Sequence, residues 1–414
     1  MWRWLVVAAG VGALVVGCAS GPSQRARIES DGTETLADQP VHLEVVGLHA
    51  GEEVTINADA ADLQQKQWHS EVRVKADNQG LVNLDEVKPV SGTYQEPDGM
   101  GLFWSMNPPD GNPDQQFYLP EIKDHRPVST VHLSVTEGGQ TLATTTETRR
   151  WLGGGATTRA LQVAKDGVTG QLFLPRPDGK RHPAVLVIGG SEGGVSQALT
   201  AALLASHGYP ALTVAYFHDT GVPPTLKDIP LEYFASAAHL LAAQPGVDPA
   251  HLLILGPSRG AEASLLVAEY FPSLVHGAIL YAPTAKVVPG FPDYTANAWT
   301  LRGKPVTDEL IPVDHISGPV LAIAGADDGL WSSAAAAPLI VRELDAAHNR
   351  YPHRALVYPG AGHNVGSYPY SPQGTHVYEP LSGRLAILGG TRQATATAQA
   401  QGWPEVLSLL KSLD

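Results

Sequence analysis

A serine lies between two glycines where an apolar run gives way to a helix-forming run, and this turn constrains the fold more than any other feature of the chain. The segment GPSRG (256–260) follows HLLIL (251–255) and precedes a stretch rich in alanine, leucine and glutamate (261–270). A serine on so sharp a strand-to-helix turn needs glycine two residues to either side, because side chains there would collide. The pattern predicts a nucleophile elbow that lifts the hydroxyl of Ser258 above a sheet.

The spacing of apolar residues divides the 414-residue chain into two domains. From 41 to about 147 they tend to alternate with polar residues, which is typical of half-buried strands. After the glycines 153–155, short apolar strands alternate with helical stretches, which is typical of a mostly parallel sheet covered on both faces. We therefore predict a β-sandwich over 39–150 and an α/β domain over 151–414. The Ala/Gln/Thr-rich stretch 393–401 is predicted to be the exposed start of a terminal helix.

A serine nucleophile needs an imidazole to take its proton and a carboxylate to orient that imidazole. In an α/β-hydrolase both follow the serine in the chain, the acid first, each in a loop after a later strand. Asp328 follows the predicted strand 320–324 and is our choice for the acid, with Asp327 as the alternative. His363 follows the strand 355–358 between glycine-rich turns and is predicted to be the base. His218, after another strand, is predicted to line the pocket.

The negative charge that develops on the substrate oxygen requires two N–H donors. One is predicted to be the backbone N–H of Arg259, directly after the nucleophile. The other comes from the glycine-rich loop 189–194, which follows the predicted strand 184–188, and either Ser191 or Glu192 supplies it. The same loop lacks the lysine that a phosphate-binding P-loop would carry.

The amino terminus has the pattern of an exported protein. Arg3 precedes an apolar run (5–16) that is too short for a membrane-spanning helix, which needs about 20 residues. The run ends in VVGC, and Cys18 is the only cysteine of the chain. The motif is similar to the bacterial lipobox, whose cysteine becomes lipidated. We therefore predict a lipoprotein-type signal over 1–18, a flexible tether over 19–38 and a membrane anchor on Cys18 in the cell envelope.

Composition excludes several other functions. The chain has 27 Lys and Arg against 41 Asp and Glu and contains no basic run, so nucleic acid is not an expected partner. A single cysteine forms no disulfide within the chain and no cysteine metal cluster. No motif requires a metal or a redox cofactor.

Longer segments of the chain resemble the family of acyl-CoA thioesterases and bile acid-CoA:amino acid N-acyltransferases, from about residue 35 to the end. The most specific segment is GMGLFWSM (99–106), and further similar segments are DIPLEYF (228–234), GPSRGAE (256–262) and YPGAGH (358–363). The resemblance implies an immunoglobulin-like sandwich before an α/β-hydrolase domain. It also implies nucleophile Ser258, acid Asp328 and base His363.

The same resemblance bears on the reaction. The transferases of this family use cysteine at the elbow, whereas a serine forms an oxyester that water resolves, so Ser258 favours hydrolysis over transfer. Pro257 and Arg259 replace residues that relatives often carry, and we expect them to alter the mouth of the pocket. We predict a hydrolase that cleaves a small-molecule acyl ester or thioester. The alternatives are an acyltransferase to an amine or alcohol and a non-catalytic lipoprotein that binds an envelope partner.

Overall fold

The computed structural model describes residues 26–124 and 126–414, so Cys18 and the predicted signal segment lie outside the described residues. Among the described residues, no helix combines the length and the apolar character needed to cross a membrane. The described chain forms two domains, and strand β10 of the first ends at Arg150, seven residues before strand β11 of the second begins at Thr157.

The amino-terminal domain consists of two sheets around one core. Its strands are β1 (Arg27–Ser30), β2 (Glu34–Leu36), β3 (Leu43–Val46), β4 (Glu53–Ala61), β5 (Gln67–Lys75), β6 (Val82–Asn83), β7 (Ser91–Gly92), β8 (Glu121–Lys123), β9 (Arg126–Glu137) and β10 (Gln140–Arg150). The smaller sheet has the order β1-β3-β6, and the larger has β2-β10-β9-β4-β5-β7 with β8 on β9. A four-residue helix, α1 (Gly101–Trp104), and a 3₁₀ turn (Pro113–Gln115) lie between β7 and β8.

Period-two patterning explains how the two sheets meet. In β5 every second residue is buried, and the buried side chains of β3, β4, β5 and β9 belong to one hydrophobic core. The core also takes Leu102, Phe103 and Trp104 of α1. This arrangement agrees with the predicted all-β domain. The immunoglobulin-like topology that the resemblance implies stays a prediction.

The predicted tether over 19–38 is wrong for its second half. Strand β1 pairs with β3 in the smaller sheet, and β2 pairs in parallel with the end of β10. These strands are short and largely polar, and they are held by backbone hydrogen bonds to neighbouring strands, which no apolar pattern reveals. The β domain therefore begins before residue 39.

The second domain contains thirteen strands and six helices. The strands are β11 (Thr157–Leu161), β12 (Thr169–Leu174), β13 (His182–Ile188), β14 (Ala211–Ala215), β15 (Ile229–Pro230), β16 (Val247–Pro257), β17 (Gly277–Tyr281), β18 (Trp299–Leu301), β19 (Lys304–Pro305), β20 (Val320–Gly325), β21 (His353–Tyr358), β22 (His376–Glu379) and β23 (Arg384–Ile387). The helices are α2 (Val163–Asp166), α3 (Ala198–Ser206), α4 (Leu231–Ala242), α5 (Arg259–Tyr270), α6 (Ser333–Ala346) and α7 (Arg392–Lys411).

Eight of these strands form the central sheet, in the order β11-β12-β14-β13-β16-β17-β20-β21. Neighbours from β14 to β21 are parallel, whereas β12 pairs antiparallel with both of its neighbours, β11 and β14. Alternate residues of β13 belong to two separate hydrophobic cores, one on each face of the sheet. Leu186 and Ile188 pack against helices α4, α5 and α6. Val185 and Val187 pack against helices α3 and α7. The mostly parallel sheet with helices on both faces confirms the predicted α/β-hydrolase domain.

Helix α7 joins the two domains. Near its amino terminus Arg392 donates to Asn107 Oδ1 (2.7 Å) and to the carbonyl of Met106 (2.6 Å). Ala396 belongs to the core of the β domain, and Gln399 is 1% exposed. The expectation that 393–401 is an exposed helix start is therefore wrong. Small polar residues of α7 are buried because the start of this helix packs between the two domains.

A second contact between the domains depends on Asp38. Its Oδ2 accepts a hydrogen bond from Trp403 Nε1 of α7 at 2.6 Å and lies 2.6 Å from Nε2 of His207, at the end of α3. The carboxylate side chain is 1% exposed. It therefore satisfies a buried indole donor that has no other acceptor among the described residues.

We expect Asp38→Ala to lower the free energy of unfolding by about 2 to 3 kcal/mol, because the buried Trp403 N–H loses its acceptor. Equilibrium unfolding in urea measures the loss. The control is Asp110→Ala, an exposed aspartate that should change stability by less than about 0.5 kcal/mol. Equal stability of the two variants would contradict a clamping role for Asp38.

Candidate active site

The turn at Ser258 has the geometry that a nucleophile elbow requires. Strand β16 ends at Pro257, helix α5 begins at Arg259, and Ser258 between them has φ 56° and ψ −120°. A Cβ on Gly256 would lie 2.5 Å from the carbonyl carbon of Gly260, and a Cβ on Gly260 would lie 2.5 Å from the carbonyl oxygen of Gly189. Both glycines are therefore needed so that the backbone can hold the serine in this strained conformation.

We expect Gly260→Ala to destabilise the catalytic domain by about 1 to 3 kcal/mol and to remove activity, because the methyl group would meet backbone atoms of the neighbouring loop. Thermal unfolding and an esterase assay measure the two effects. Gly154→Ala is the matched control, since a Cβ at Gly154 has no atom within 4 Å. Retention of both stability and activity in Gly260→Ala would contradict the close packing at the elbow.

The loops after β20 and β21 bring Asp328 and His363 together. His363 Nδ1 lies 2.9 Å from Oδ2 and 3.0 Å from Oδ1 of Asp328. The side chains are 8% and 2% exposed, respectively. Asp327, the alternative acid, is exposed and has no bond to the histidine. The geometry therefore favours Asp328 as the group that orients the imidazole.

Burial and hydrogen bonding act in opposite directions on Asp328. Burial alone would raise the pKa of this carboxyl group. Hydrogen bonding and charge from His363 lower it, as do the bonds that the Ser333 hydroxyl and the Leu330 N–H donate, and the pKa falls below its ordinary value. Asp328 is therefore ionised at neutral pH, as a partner of an imidazolium must be.

The lowered pKa of Asp328 predicts a pH-dependent contribution to stability. A carboxyl group whose pKa is lower in the folded than in the unfolded state stabilises the folded protein. This contribution is fully present at pH values above the pKa of the unfolded state, and it is lost as the pH falls through the pKa of the folded state. We therefore expect the stability difference between the wild type and Asp328→Asn to shrink as the pH falls from 7 into the range below the ordinary aspartate pKa. Urea unfolding at a series of pH values measures it. A constant difference would contradict the lowered pKa of Asp328.

Ser258 and His363 line one open cavity of about 460 Å³. Nδ1 of His363 is bound to Asp328, and Nε2 is buried without a hydrogen-bond partner among the described residues. No hydrogen bond joins Nε2 to the hydroxyl of Ser258 in this structure, and such catalytic bonds are often long before substrate binds. The two side chains thus share a cavity in which a substrate carbonyl can reach the serine.

The glycine-rich loop after β13 lies against the nucleophile. A Cβ on Gly190 would be 3.3 Å from Cβ of Ser258. The N–H of Gly190 is occupied by Oε1 of Glu192 (3.0 Å), whereas the N–H groups of Ser191 and Glu192 have no acceptor among the described residues. Both residues line the cavity, so the choice between them as second oxyanion donor stays open. The N–H of Arg259 is at the first position of α5, where no intrahelical acceptor exists.

The side chain of Arg259 points away from the cavity, contrary to the expectation that it shapes the mouth. It is buried against Glu262 (3.2 Å) and lies over the ring of Trp299 at 5.6 Å from the centroid. Glu262 in turn accepts the indole N–H of Trp299 at 2.7 Å. Arg259 therefore anchors helix α5 behind the elbow. Pro257, the other departure, does line the cavity.

Sequence reasoning missed two walls of the cavity. Phe117, Tyr118 and Leu119 reach it from the amino-terminal domain, and residues 377–381 reach it from β22 and the turn that follows. Nothing in these segments carries a catalytic signature, so only the folded arrangement identifies them. His218, which was predicted to line the pocket, is exposed and does not line this cavity.

Comparison with known families matches both parts of the chain. The family model described as the amino-terminal region of acyl-CoA thioester hydrolases and BAAT matches residues 38–163. The model of the corresponding carboxy-terminal region matches residues 284–413, a range that includes Asp328 and His363.

Similar proteins of known name align over most of their length. Acyl-coenzyme A amino acid N-acyltransferase 1 of Mus musculus is 29% identical over 90% of this chain and 94% of its own. Acyl-coenzyme A thioesterase 6 of Mus musculus is 28% identical over 89% of this chain and 92% of its own. The mitochondrial acyl-coenzyme A thioesterase 2 of Homo sapiens is 27% identical over 89% of this chain and 80% of its own.

Solved structures match less closely. A dienelactone hydrolase-like promiscuous phosphotriesterase from metagenomic libraries is 18% identical, covers 63% of this chain and 99% of its own, and has a TM-score of 0.43. A puromycin-hydrolysing peptidase of Mycobacterium tuberculosis is 15% identical, covers 91% of this chain and 66% of its own, and has a TM-score of 0.44. At such scores the strand order of the central sheet, described above, is the stronger indication of the fold.

Proposed function

Because the chain belongs to the family of acyl-CoA thioesterases and bile acid-CoA:amino acid N-acyltransferases, we propose that it hydrolyses an acyl thioester or ester through an acyl-Ser258 intermediate. The observation that carries the proposal is the buried Asp328–His363 hydrogen bond beside a cavity that also contains the strained Ser258. The named relatives act on acyl-coenzyme A by their names, and this supports an acyl substrate of the same reaction class.

In the proposed first step, Ser258 Oγ attacks the acyl carbonyl carbon while Nε2 of His363 takes the hydroxyl proton. Asp328 holds the ring so that Nε2 is the free nitrogen, and it stabilises the imidazolium. The backbone N–H of Arg259 and that of Ser191 or Glu192 bind the oxyanion. The carbon–sulfur or carbon–oxygen bond then breaks, and His363 gives its proton to the leaving thiol or alcohol.

In the second step, water attacks the acyl-Ser258 ester and His363 takes a proton from that water. The collapse of the second tetrahedral intermediate returns the proton to Ser258 Oγ and releases the carboxylic acid. No metal or cofactor takes part in either proposed step.

The experiment that tests the proposal is a panel of acyl-CoA thioesters and simple oxyesters, assayed on the purified full chain and on Ser258→Ala. We expect at least one class of acyl substrate to be hydrolysed by the wild type alone. Hydrolysis that persists in Ser258→Ala would contradict the proposed nucleophile, and no hydrolysis of any member would contradict the proposed reaction.

The transferase alternative is weaker on chemical grounds, although one similar protein is named an amino acid N-acyltransferase. An oxyester on Ser258 is resolved by water, whereas the family resemblance implies a cysteine thioester in the transferases. Product analysis with added glycine or taurine separates the two reactions, because only a transferase forms the amide conjugate. The non-catalytic alternative would leave Ser258 unlabelled by a fluorophosphonate probe.

We further propose that the protein is exported and anchored through a lipid on Cys18. The support is the short apolar run followed by VVGC at the amino terminus. Growth of an expressing bacterium with radiolabelled palmitate tests the proposal. We expect label in the wild type and none in Cys18→Ser, and equal labelling of the two would contradict the anchor.

A further inference from the structure

The candidate cavity has no cationic side chain of the kind that binds phosphate. Of the described residues that line it, none is lysine or arginine, and the only group there that can carry positive charge is His363. The cavity contains two carboxylates instead, those of Glu192 and Glu379. Neither belongs to an ion pair among the described residues, since Glu192 accepts from Gly190 and Ser196 and Glu379 accepts from Ser382.

Two cationic residues on segments next to the cavity do not line it. Arg384 is opposite Glu379 in the β22–β23 ladder, is exposed, and forms no ion pair with it. Lys66 lines a separate, smaller cavity that shares Phe117 and Leu119 with the large one. The chain as a whole has a formal net charge of −14. The net charge of the chain therefore opposes the long-range approach of an anionic ligand.

Several apolar side chains of the cavity lining are exposed to solvent. Leu119, Leu330 and Tyr378 line the cavity and are 48%, 41% and 61% exposed. Leu385, the cross-strand neighbour of Tyr378, is also exposed on the same face of the β22–β23 hairpin. An apolar ligand would cover these side chains, and a phosphate group would gain nothing from them.

We propose that the leaving group of the substrate is uncharged, so that the enzyme prefers an acyl ester or thioester without phosphate groups over the acyl-coenzyme A thioester. The inference rests on the proposed function of the same site. Coenzyme A carries several phosphate charges, which proteins bind through arginine and lysine. The carboxylates of Glu192 and Glu379 in the cavity lining, neither of them in an ion pair among the described residues, repel such a leaving group, and like charges placed together are costly.

The test compares two thioesters with the same acyl group and the same acylated cysteamine at the sulfur, butyryl-CoA and S-butyryl-N-acetylcysteamine, of which only the first carries phosphate groups. Thiol release by the purified full chain is measured at low and high ionic strength. We expect kcat/KM for the uncharged thioester to exceed that for butyryl-CoA by about tenfold at low salt, and the gap to narrow at high salt because ions screen the repulsion.

A charge reversal at the mouth provides the second arm. Glu379→Lys is expected to raise severalfold the ratio of kcat/KM for butyryl-CoA to kcat/KM for S-butyryl-N-acetylcysteamine, because only the CoA thioester carries phosphate charges. The matched control is Glu137→Lys, the same change at the exposed last residue of β9, outside the cavity lining. We expect that variant to change neither substrate's kcat/KM appreciably.

The results separate this inference from the proposed function. A kcat/KM for butyryl-CoA that equals or exceeds that of the uncharged thioester would overturn the inference while leaving catalysis by Ser258 intact. A larger effect of Glu137→Lys than of Glu379→Lys would overturn it also. If neither thioester nor any oxyester is hydrolysed and a fluorophosphonate fails to label Ser258, the proposed function itself fails.

Discussion

Replacing Ser258 by alanine is expected to lower kcat by about 10⁶-fold, because a nucleophile and its base act as a unit and the remaining groups catalyse only weakly. The cavity keeps its lining and its N–H donors in this variant, so we expect KM to change far less than kcat. Steady-state kinetics on the best substrate of the ester and thioester panel measures both constants. Labelling by a fluorophosphonate should disappear in parallel.

Ser264→Ala is the matched control for this variant. Ser264 lies in the same helix α5, is fully buried, and its hydroxyl has no hydrogen-bond partner among the described residues. Its removal should therefore leave kcat within about twofold, since no interaction is lost. A comparable loss in both variants would mean that the effect at Ser258 comes from disruption of the helix and not from chemistry.

Replacing Asp328 by asparagine is expected to lower kcat by about 10⁴-fold with little change in structure. Oδ1 of Asp328 accepts bonds from the N–H groups of Leu330 and Trp331, so an asparagine oxygen would remain at this position and the NH₂ group would replace Oδ2, which accepts from the Ser333 hydroxyl. Its NH₂ group would then face Nδ1 of His363. Because this NH₂ group donates to Nδ1, the imidazole would carry its own proton on Nε2. In this tautomer Nε2 cannot accept the proton of the Ser258 hydroxyl.

The neighbouring residue offers a control of identical chemistry. Asp327 is exposed and does not contact His363, so Asp327→Asn should retain kcat within about twofold. Steady-state kinetics and circular dichroism of both variants complete the comparison. A greater loss in Asp327→Asn than in Asp328→Asn would show that the acid has been assigned to the wrong aspartate.

The parts of the candidate site that are local in sequence could be predicted. Ser258 and its two glycines form a five-residue turn, and the turn needs glycine for steric reasons that hold in any sequence. Asp328 and His363 each follow an apolar strand directly, and parallel strands deliver their following loops to one edge of the sheet. The chain order of the three residues then limits the assignment to few candidates.

The parts that depend on contacts between distant segments could not be predicted. Phe117 to Leu119 reach the cavity only because the β domain packs beside the hydrolase domain, and no periodicity encodes that packing. Gln399 is polar yet buried, because its side chain donates to the carbonyl of Asn364 in the loop that carries His363. Strand β1 forms because it pairs with β3, and its own residues show no apolar pattern that would predict a strand.

The fold and the mouth of the cavity carry different information about substrate. The central sheet and the elbow support the reaction class, which the family shares. The carboxylates of Glu192 and Glu379, together with exposed apolar side chains of the cavity lining, carry the proposal that the leaving group is uncharged.

The most direct test of the account is the mass of the protein quenched in acid within milliseconds of mixing with a butyryl thioester or ester that it turns over. We predict an increase of one butyryl group, located by peptide analysis on Ser258, in the wild type and none in Ser258→Ala. Rapid turnover with no acyl group on the protein, or an acyl group on a residue other than Ser258, would contradict the account.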